Sequence, residues 1–329
     1  MRATIGVDVG GSSIEAVAYD ETGRIAARYQ TAAVLQGGRQ IASSAVTAVR
    51  ALKVEDCAAV GVGVPGQVDP TTGQLTMAVN LGVGSEPYDL AEEIELAVGA
   101  PVTIENDVRA AALGAFESLL LEEQGLESLT LVSLGTGISA GVVLHGALLR
   151  GDHGMAGEIG HVVVDESGPL CRCGQRGCLE AMAAGPAIAR AWPKGTDGTA
   201  ATALFSAAVQ GDPSARKVAS RITGHVTTAL TWLAAAYDTE VIVLAGGVPQ
   251  SGDDFLYMVR DQVQQRGATS ELAARRLRPD QVTLASVDDP PGPRGAAALA
   301  AKQLLPQAGG SRTYESKEGN MSKLKGGSV

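Results

Sequence analysis

Aromatic side chains are scarce in this chain: two Trp, three Phe and six Tyr make up 3% of its 329 residues. A ligand stacked on a wall of rings is therefore a poor expectation, and recognition has to run through hydrogen bonds and charge. Basic residues are also in deficit, with 26 Lys and Arg against 36 Asp and Glu and a formal net charge of −10. Such a balance offers no cationic face for a phosphate backbone, which excludes nucleic acid as the expected partner. No apolar run approaches the ~20 residues that a membrane-spanning helix needs. The N-terminal residues lack the apolar stretch and small-residue cleavage site of a secretory signal, so the expected compartment is the cytoplasm. Four cysteines are too few for a disulfide framework on this length. Three of them, Cys171, Cys173 and Cys178, crowd into eight positions, which points to a metal rather than a bridge.

What the chain has in quantity is glycine, 42 residues, within a composition that is 45% hydrophobic. At ~100–200 residues per domain, the length allows two domains with their own cores. Residues 4–9 form a β-rich run that ends in Gly10-Gly11-Ser12-Ser13, and a second run over 14–19 reaches a turn at 20–23. The pattern returns 126 positions later as 130–134, then Gly135-Thr136-Gly137, then 138–144. This is an internal repeat. Each copy continues into alternating helical and strand patterns, the signature of an α/β sheet in each half. Ile41, Ala45, Val49 and Leu52 fall on one helical stripe, whereas 58–64 and 102–104 read as buried strands. Residues 214–236 carry a long helical pattern, and the strand over 241–244 stops at Ala245-Gly246-Gly247. The expected organisation is a first domain over 1–117 and a second over 118–293 that carries a cysteine loop at 158–180. A helix over 294–305 returns to complete the first domain, and 306–329 has too little to bury and is expected to be a mobile tail.

A glycine turn after a buried strand exposes backbone N–H groups that can cradle phosphate oxygens with no side chain in the way. Gly10-Gly11, Gly135-Thr136-Gly137 and Gly246-Gly247 are three such turns. Asp8 is placed to hold a phosphate-bound Mg²⁺, and Ser12 and Thr136 add hydroxyl donors. Glu105-Asn106-Asp107 ends a strand and opens a helix, where Asn or Asp serves as an N-cap. The alternative is that Asp107 is a carboxylate able to accept a proton from a substrate hydroxyl. His161 with Cys171, Cys173 and Cys178 fits a closed tetrahedral zinc site, which is structural because no position is left for water. Glu158 and Glu180 bracket that loop; they are either solvated surface charge or, if the metal pins the loop near a cleft, acceptors for the hydroxyls of a polyol.

These motifs, Asp8-x-Gly10-Gly11-Ser12, Val64-Pro65-Gly66-x-Val68-Asp69, Asn80-Leu81-Gly82, Asn106-Asp107, Leu134-Gly135-Thr136-Gly137, Glu158-x-Gly160-His161 and Cys171-x-Cys173-Gly174-x-x-Gly177-Cys178-x-Glu180, resemble the ROK family of sugar kinases and sugar-responsive repressors. The resemblance spans about residues 4–300 and implies two actin-like (RNase H-like) α/β domains with a sugar and nucleotide cleft between them. It implies Asp107 as general base toward a sugar 6-hydroxyl. Asn106, Glu158, His161 and Glu180 would hold the sugar hydroxyls, and Gly66 and Asn80 would line the sugar side. The glycine turns would receive the phosphates of ATP, with Gly246 and Gly247 near the adenosine, and the chain would be a homodimer. Two departures stand out. Ser12-Ser13 replaces the common Thr followed by Lys or Asn, which keeps a hydroxyl and loses a charge. Val83 stands where many glucokinases carry an aromatic, which leaves room for a 2-acetamido group. The expected activity is ATP-dependent phosphorylation of a hexose, glucose ahead of N-acetylglucosamine or N-acetylmannosamine. A repressor would need a helix-turn-helix segment ahead of the first strand, and a non-catalytic sugar sensor would not need Asp107.

Overall fold

The computed structural model describes residues 2–11, 13–32, 35–122, 125–194 and 200–304. The expectations for Ser12 and for the tail over 306–329 lie outside the described residues. The first half is a mixed sheet of β1 (Arg2–Val9), β2 (Ser13–Tyr19), β3 (Ile25–Ala32), β4 (Asp56–Val64) and Val102–Asn106, with helix α1 (Gly38–Ala51) between β3 and β4. A ribbon of β5 (Gln67–Val68) and β6 (Leu75–Thr76) and helix α2 (Leu90–Val98) lead into that last strand, β7. The order is β3-β2-β1-β4-β7, with β1, β4 and β7 parallel and the β1-β2-β3 meander antiparallel.

The second half repeats this plan. Strands β8 (Ser128–Leu134), β9 (Ile138–Leu144), β10 (Ala147–Leu148), β11 (Val241–Ala245) and β12 (Val282–Leu284) lie in the order β10-β9-β8-β11-β12, with β8, β11 and β12 parallel. The expected α/β class is therefore present twice, and in each half the parallel strands end at one edge of the sheet. Ligands of α/β sheets bind outside such carboxyl ends.

β1 reads as an almost continuous apolar run because both of its faces are covered. Ile5, Val7 and Val9 are fully buried, and α1 contributes Ile41, Ala45 and Val49 to the same core. Edge strand β3 instead alternates exposed and half-buried residues. Helix α3 (Asp107–Glu122) is shared between the halves. Ala112, Leu113 and Phe116 pack with Leu129, Leu131 and Val143 of the second sheet, and a Cβ on Gly63 of the first sheet would lie 3.4 Å from Ala110 Cβ. Helices α4 (Leu179–Ala183), α5 (Gly185–Ala191), α6 (Ala200–Val209) and α7 (Pro213–Tyr237) follow the second sheet's β10, and α8 (Asp253–Thr269) and α9 (Glu271–Arg276) follow β11. The long helix α7 starts on Asp212, whose carboxylate accepts from the Ser214 and Ala215 backbone N–H groups, with Pro213 at the first helical position.

Helix α10 (Pro291–Leu304) returns to the first sheet and lies against β1, β4 and α3. Its approach is backbone to backbone: a Cβ on Gly6 would sit 1.7 Å from the Pro293 carbonyl oxygen, and one on Gly61 would sit 1.8 Å from that of Ala296. Only glycine permits that contact. No helix among the described residues is long and apolar enough to cross a membrane.

Candidate active site

Two carboxylates converge at the end of the first sheet. Asp8 near the end of β1 is in register with Gly63 on β4, and Gly63 is in register with Glu105 on β7. Because Gly63 has no side chain, the spot where its Cβ would stand lies 3.4 Å from Asp107 Cα and 3.7 Å from Asp8 Oδ1. Gly292 in the first turn of α10 closes the other side, its would-be Cβ 2.6 Å from the Asp8 carboxylate. Withdrawal from water, with the charges of Asp107 and Glu15 added, pushes the Asp8 pKa up to about 7. Desolvation also raises Asp107, to about 6, against the lowering pull of the Val108 N–H, and the Glu158 charge adds to the rise.

The capping question at the start of α3 is resolved by side-chain geometry. Asn106 Oδ1 accepts from the backbone N–H groups of Val108 and Arg109, both at 3.1 Å, and its Nδ2 donates to the Gly66 carbonyl at 3.2 Å. Asn106 is the cap, so Asp107 is not needed for that purpose. Gly66 holds its place at φ 117°, with Thr76 O and Ala78 Cβ each 2.9 Å from its would-be Cβ, which ties Asn106 to the segment that leads to Asn80. Asn80 sits in the single helical turn Val79–Leu81.

In the second half, Gly157 and Gly160 press the segment bearing Glu158 and His161 against β9. The Gly157 carbonyl accepts from Ala140 N–H at 2.8 Å, and a Cβ on Gly160 would lie 2.0 Å from Ile138 O. That contact is the physical reason for glycine inside the Glu158-x-Gly160-His161 motif. Glu158 is exposed, whereas the Glu180 carboxylate is mostly buried and accepts from Ile138 N–H at 3.2 Å. Arg172, from the cysteine loop, reaches Asn80 Oδ1 at 3.3 Å and Glu180 Oε1 at 3.4 Å, so the loop bridges the two sides.

The donor atoms of His161, Cys171, Cys173 and Cys178 lie within 4.8 Å of one another. His161 Nδ1 stands 3.7 Å from Cys171 Sγ, and Cys173 Sγ stands 3.6 Å from Cys178 Sγ. Thiolates about 2.3 Å from one tetrahedral ion would be about 3.8 Å apart, so this donor set fits zinc. With Nδ1 turned toward the thiols, Nε2 of His161 is left for another partner. Hydrogen bonds from the Gln175 backbone and side chain draw Cys173 down to about 6, while burial pushes Cys178 up to about 12.

Gly135-Thr136-Gly137 joins β8 to β9, closed by a 2.9 Å bond from Gly135 N–H to the Gly137 carbonyl. Gly246, at φ 95°, would bring a Cβ within 2.7 Å of Leu134 O, which sets the Gly246-Gly247 turn beside it. Thr136 is exposed, and a Cβ on Gly135 or Gly247 would meet nothing within 4 Å. Gly10 N–H bonds the Ser13 carbonyl at 2.8 Å, and Gly11 is likewise open. A cavity of about 450 Å³ lies elsewhere, at the opposite end of β1, lined by Arg2, Tyr19 and Arg294. It touches none of these residues; the chemistry is at the strand ends.

Sequence reasoning missed the fully buried Glu105, whose Oε1 accepts from Arg109 Nε at 2.8 Å and whose Oε2 accepts from Arg150 Nε at 2.7 Å. The signal that could have found it is a carboxylate at the end of an apolar strand with an arginine at i+4, since a buried charge has to be paired. Val83 also differs from expectation. Its side chain is buried in the first core, so the lack of an aromatic there opens no space beside a ligand.

Comparison with known proteins gives this arrangement a family. The ROK family model matches residues 4–303. A glucokinase from Thermotoga maritima is 32% identical over 276 residues, covering 79% of this chain and 86% of that protein. An N-acetylmannosamine kinase from Vibrio cholerae is 34% identical over 267 residues, covering 80% and 90%. The crystal structure of a ROK family glucokinase from Streptomyces griseus in complex with glucose and AMPPNP superposes with a TM-score of 0.76 at 32% identity, over 91% of this chain and 99% of that one. The duplicated sheets, the shared helices and the match over nearly the whole length make this chain a member of the ROK family, with its two-domain actin-like fold.

Proposed function

We propose that this ATP-dependent sugar kinase transfers the γ-phosphoryl group of ATP to the 6-hydroxyl of a hexose, with glucose the preferred acceptor. The observation that carries the reading is Asp107 itself, a desolvated carboxylate freed from capping by Asn106 and raised to about 6. At neutral pH it is ionised and still basic enough to take a hydroxyl proton. As the O6–H proton passes to Asp107, O6 bonds to the γ-phosphorus, the bond to the β,γ-bridging oxygen breaks, and ADP leaves. Such a transfer depends mainly on positioning and charge neutralisation. Asp8 would hold the Mg²⁺ that accompanies ATP, which supplies the charge neutralisation. The turns at Gly10-Gly11 and Gly135-Thr136-Gly137, through the N–H groups they do not use internally and the Thr136 hydroxyl, would take phosphate oxygens, with Gly246 and Gly247 toward the adenosine. Glu158, Glu180, Asn80, Asn106 and His161 Nε2 would meet the sugar hydroxyls. Zinc on His161 and the three cysteines would be structural, fixing the loop that precedes Glu180.

Glucose leads because the Glu158 and Glu180 carboxylates are both suited to accept from free hydroxyls, and a 2-acetamido sugar presents one hydroxyl fewer. The N-acetylmannosamine kinase relative keeps a second acceptor class in play. A coupled ADP-release assay on glucose, N-acetylglucosamine, N-acetylmannosamine, mannose and fructose tests the choice. The expected result is the highest kcat/KM on glucose with N-acetylglucosamine within about 100-fold, since single contacts seldom discriminate further. A higher value on either N-acetyl sugar would reverse the ranking, and turnover of none would remove the kinase reading.

A further inference from the structure

Glu105 and Arg150 stand 45 positions apart in the chain, one at the end of a first-half strand and the other in the second half just after β10, yet they form a 2.7 Å ion pair. Every oxygen of Glu105 is used: Oε1 takes the Arg109 guanidinium and the Asn106 N–H at 2.9 Å, and Oε2 takes Arg150. Arg109 then donates through Nη1 to the Gly154 carbonyl at 2.9 Å. The stretch 150–154 is thus fastened twice to the β7–α3 junction that carries Asn106 and Asp107. Four residues further on lies Glu158, whose charge is felt at Asp107, and Gly157 is fixed from the other side by Ala140 N–H and Ser139 Oγ.

We propose that Arg150, acting through Glu105, is a positioning residue for sugar binding: it sets where Glu158 stands relative to Asp107. The inference rests on the sugar-kinase reading above. Charge-assisted bonds are short and directional, so they fix a loop more tightly than the neutral backbone contacts around them. Truncating Arg150 leaves Glu105 paired with Arg109, so the buried charge stays compensated and the chain keeps its reason to fold. What is lost is one of the loop's two fastenings, the charged one at Arg150, while the Arg109 bond to the Gly154 carbonyl remains. Glu158 then samples positions in which it does not meet a sugar hydroxyl, while Asp107, capped by its neighbour, and the phosphate turns stay in place.

The test is Arg150→Ala beside Arg150→Lys, read by steady-state kinetics and by amide hydrogen exchange across residues 150–158. For Arg150→Ala the expected outcome is a sugar KM raised about tenfold, the value of one charge-assisted contact, with kcat at saturating sugar and the KM for ATP each within about threefold. Exchange across 150–158 should quicken while that of the α3 interior does not. Arg150→Lys, whose amine can still reach Glu105, should restore most of both. Unchanged exchange across 150–158 overturns the fastening whatever the kinetics show. An equal loss in kcat and both KM values, with lysine no better than alanine, assigns the pair to stability alone and also overturns the proposal. If the unaltered enzyme phosphorylates none of the five sugars, the kinase reading falls, and the exchange comparison alone decides whether Arg150 holds the loop.

Discussion

The two sheets share strand order and direction, yet the turn after β1 and the turn after β8 differ in kind. Counted back from each turn, Asp8, in register with Glu15, corresponds to Ser133, in register with Ser139, and the core residues Val9 and Leu134 correspond to each other. One copy of the hairpin places a desolvated acid at the strand end, and the other places a serine there and carries no acid. Asp107 adds a second acid to the first half, whereas the second half contributes glycine turns, the metal-ligand loop and Glu158 and Glu180. Duplication supplied two similar scaffolds, and the buried acids of the strand ends belong to the first of them.

The largest expected effect comes from removing the acid that makes the first half unlike the second. Asp107→Asn keeps the shape and cannot accept a proton, and general-base catalysis is typically worth ~10²–10⁴-fold. Turnover should fall by about that factor while sugar binding, measured by calorimetry, stays nearly intact. The unaltered enzyme should show kcat/KM for sugar rising with pH through about 6 to a plateau, because only the ionised carboxylate takes the proton. That limb should be missing from the asparagine variant. A variant with more than half the normal rate at saturation would end the assignment.

A smaller effect should follow from loosening the metal-ligand loop of the second half. Protein prepared without added zinc should carry about one equivalent by metal analysis if His161, Cys171, Cys173 and Cys178 close a tetrahedral site. In Cys173→Ala the loop that carries Arg172 toward Asn80 and Glu180 loses one anchor. Sugar KM should rise about tenfold, as for other supports of a binding group, and the KM for ATP should change less. Metal-free protein with unchanged sugar affinity would detach the metal from the sugar side, leaving the comparison between the halves to rest on the acids alone.

Which parts of this were legible in the sequence follows the range of the interactions. The repeat, the glycine turns and the cysteine cluster are local patterns of a few residues, and each appears in the structure as a local feature. The Asn106 cap was one of two open readings at a helix start, and a neighbouring Asp cannot be told from it without seeing which side chain turns back to Val108 and Arg109. Glu105 with Arg150, and α10 lying on Gly6 and Gly61, join segments 45 and more than 200 positions apart, and no local period marks such pairs. Glycine inside a strand reads as a weakness in the sequence. Here it is the groove that α10 occupies. Val83 misled because its place beside Asn80-Leu81-Gly82 says nothing about which way its side chain points.

The smallest expected effect is on stability, and it isolates the cost of the acid that stands where the second half has Ser133. In the folded chain Asp8 has a pKa of about 7, against 3.8 for an unperturbed aspartate. The raised pKa means that the fold prefers the protonated acid. Its favourable share of stability is full below about pH 4 and is lost as pH rises toward 7, because the unfolded chain ionises freely over that window while the folded chain resists. Asp8→Asn mimics the protonated form at every pH. Its thermal midpoint should match that of the unaltered protein near pH 4 and exceed it by a few degrees near pH 8. Asp107 shares the site and titrates with Asp8, so the gap should open over a broad range rather than at one pH. Turnover should fall in the same variant, since Asp8 would no longer help to hold the cation that accompanies ATP. A gain in stability with a loss of activity is the trade expected where a fold carries a charge for chemistry and not for packing. Equal midpoints at pH 4 and pH 8 would mean that Asp8 is as well solvated as Thr136 in the other turn, and the contrast between the two halves would lose its physical basis.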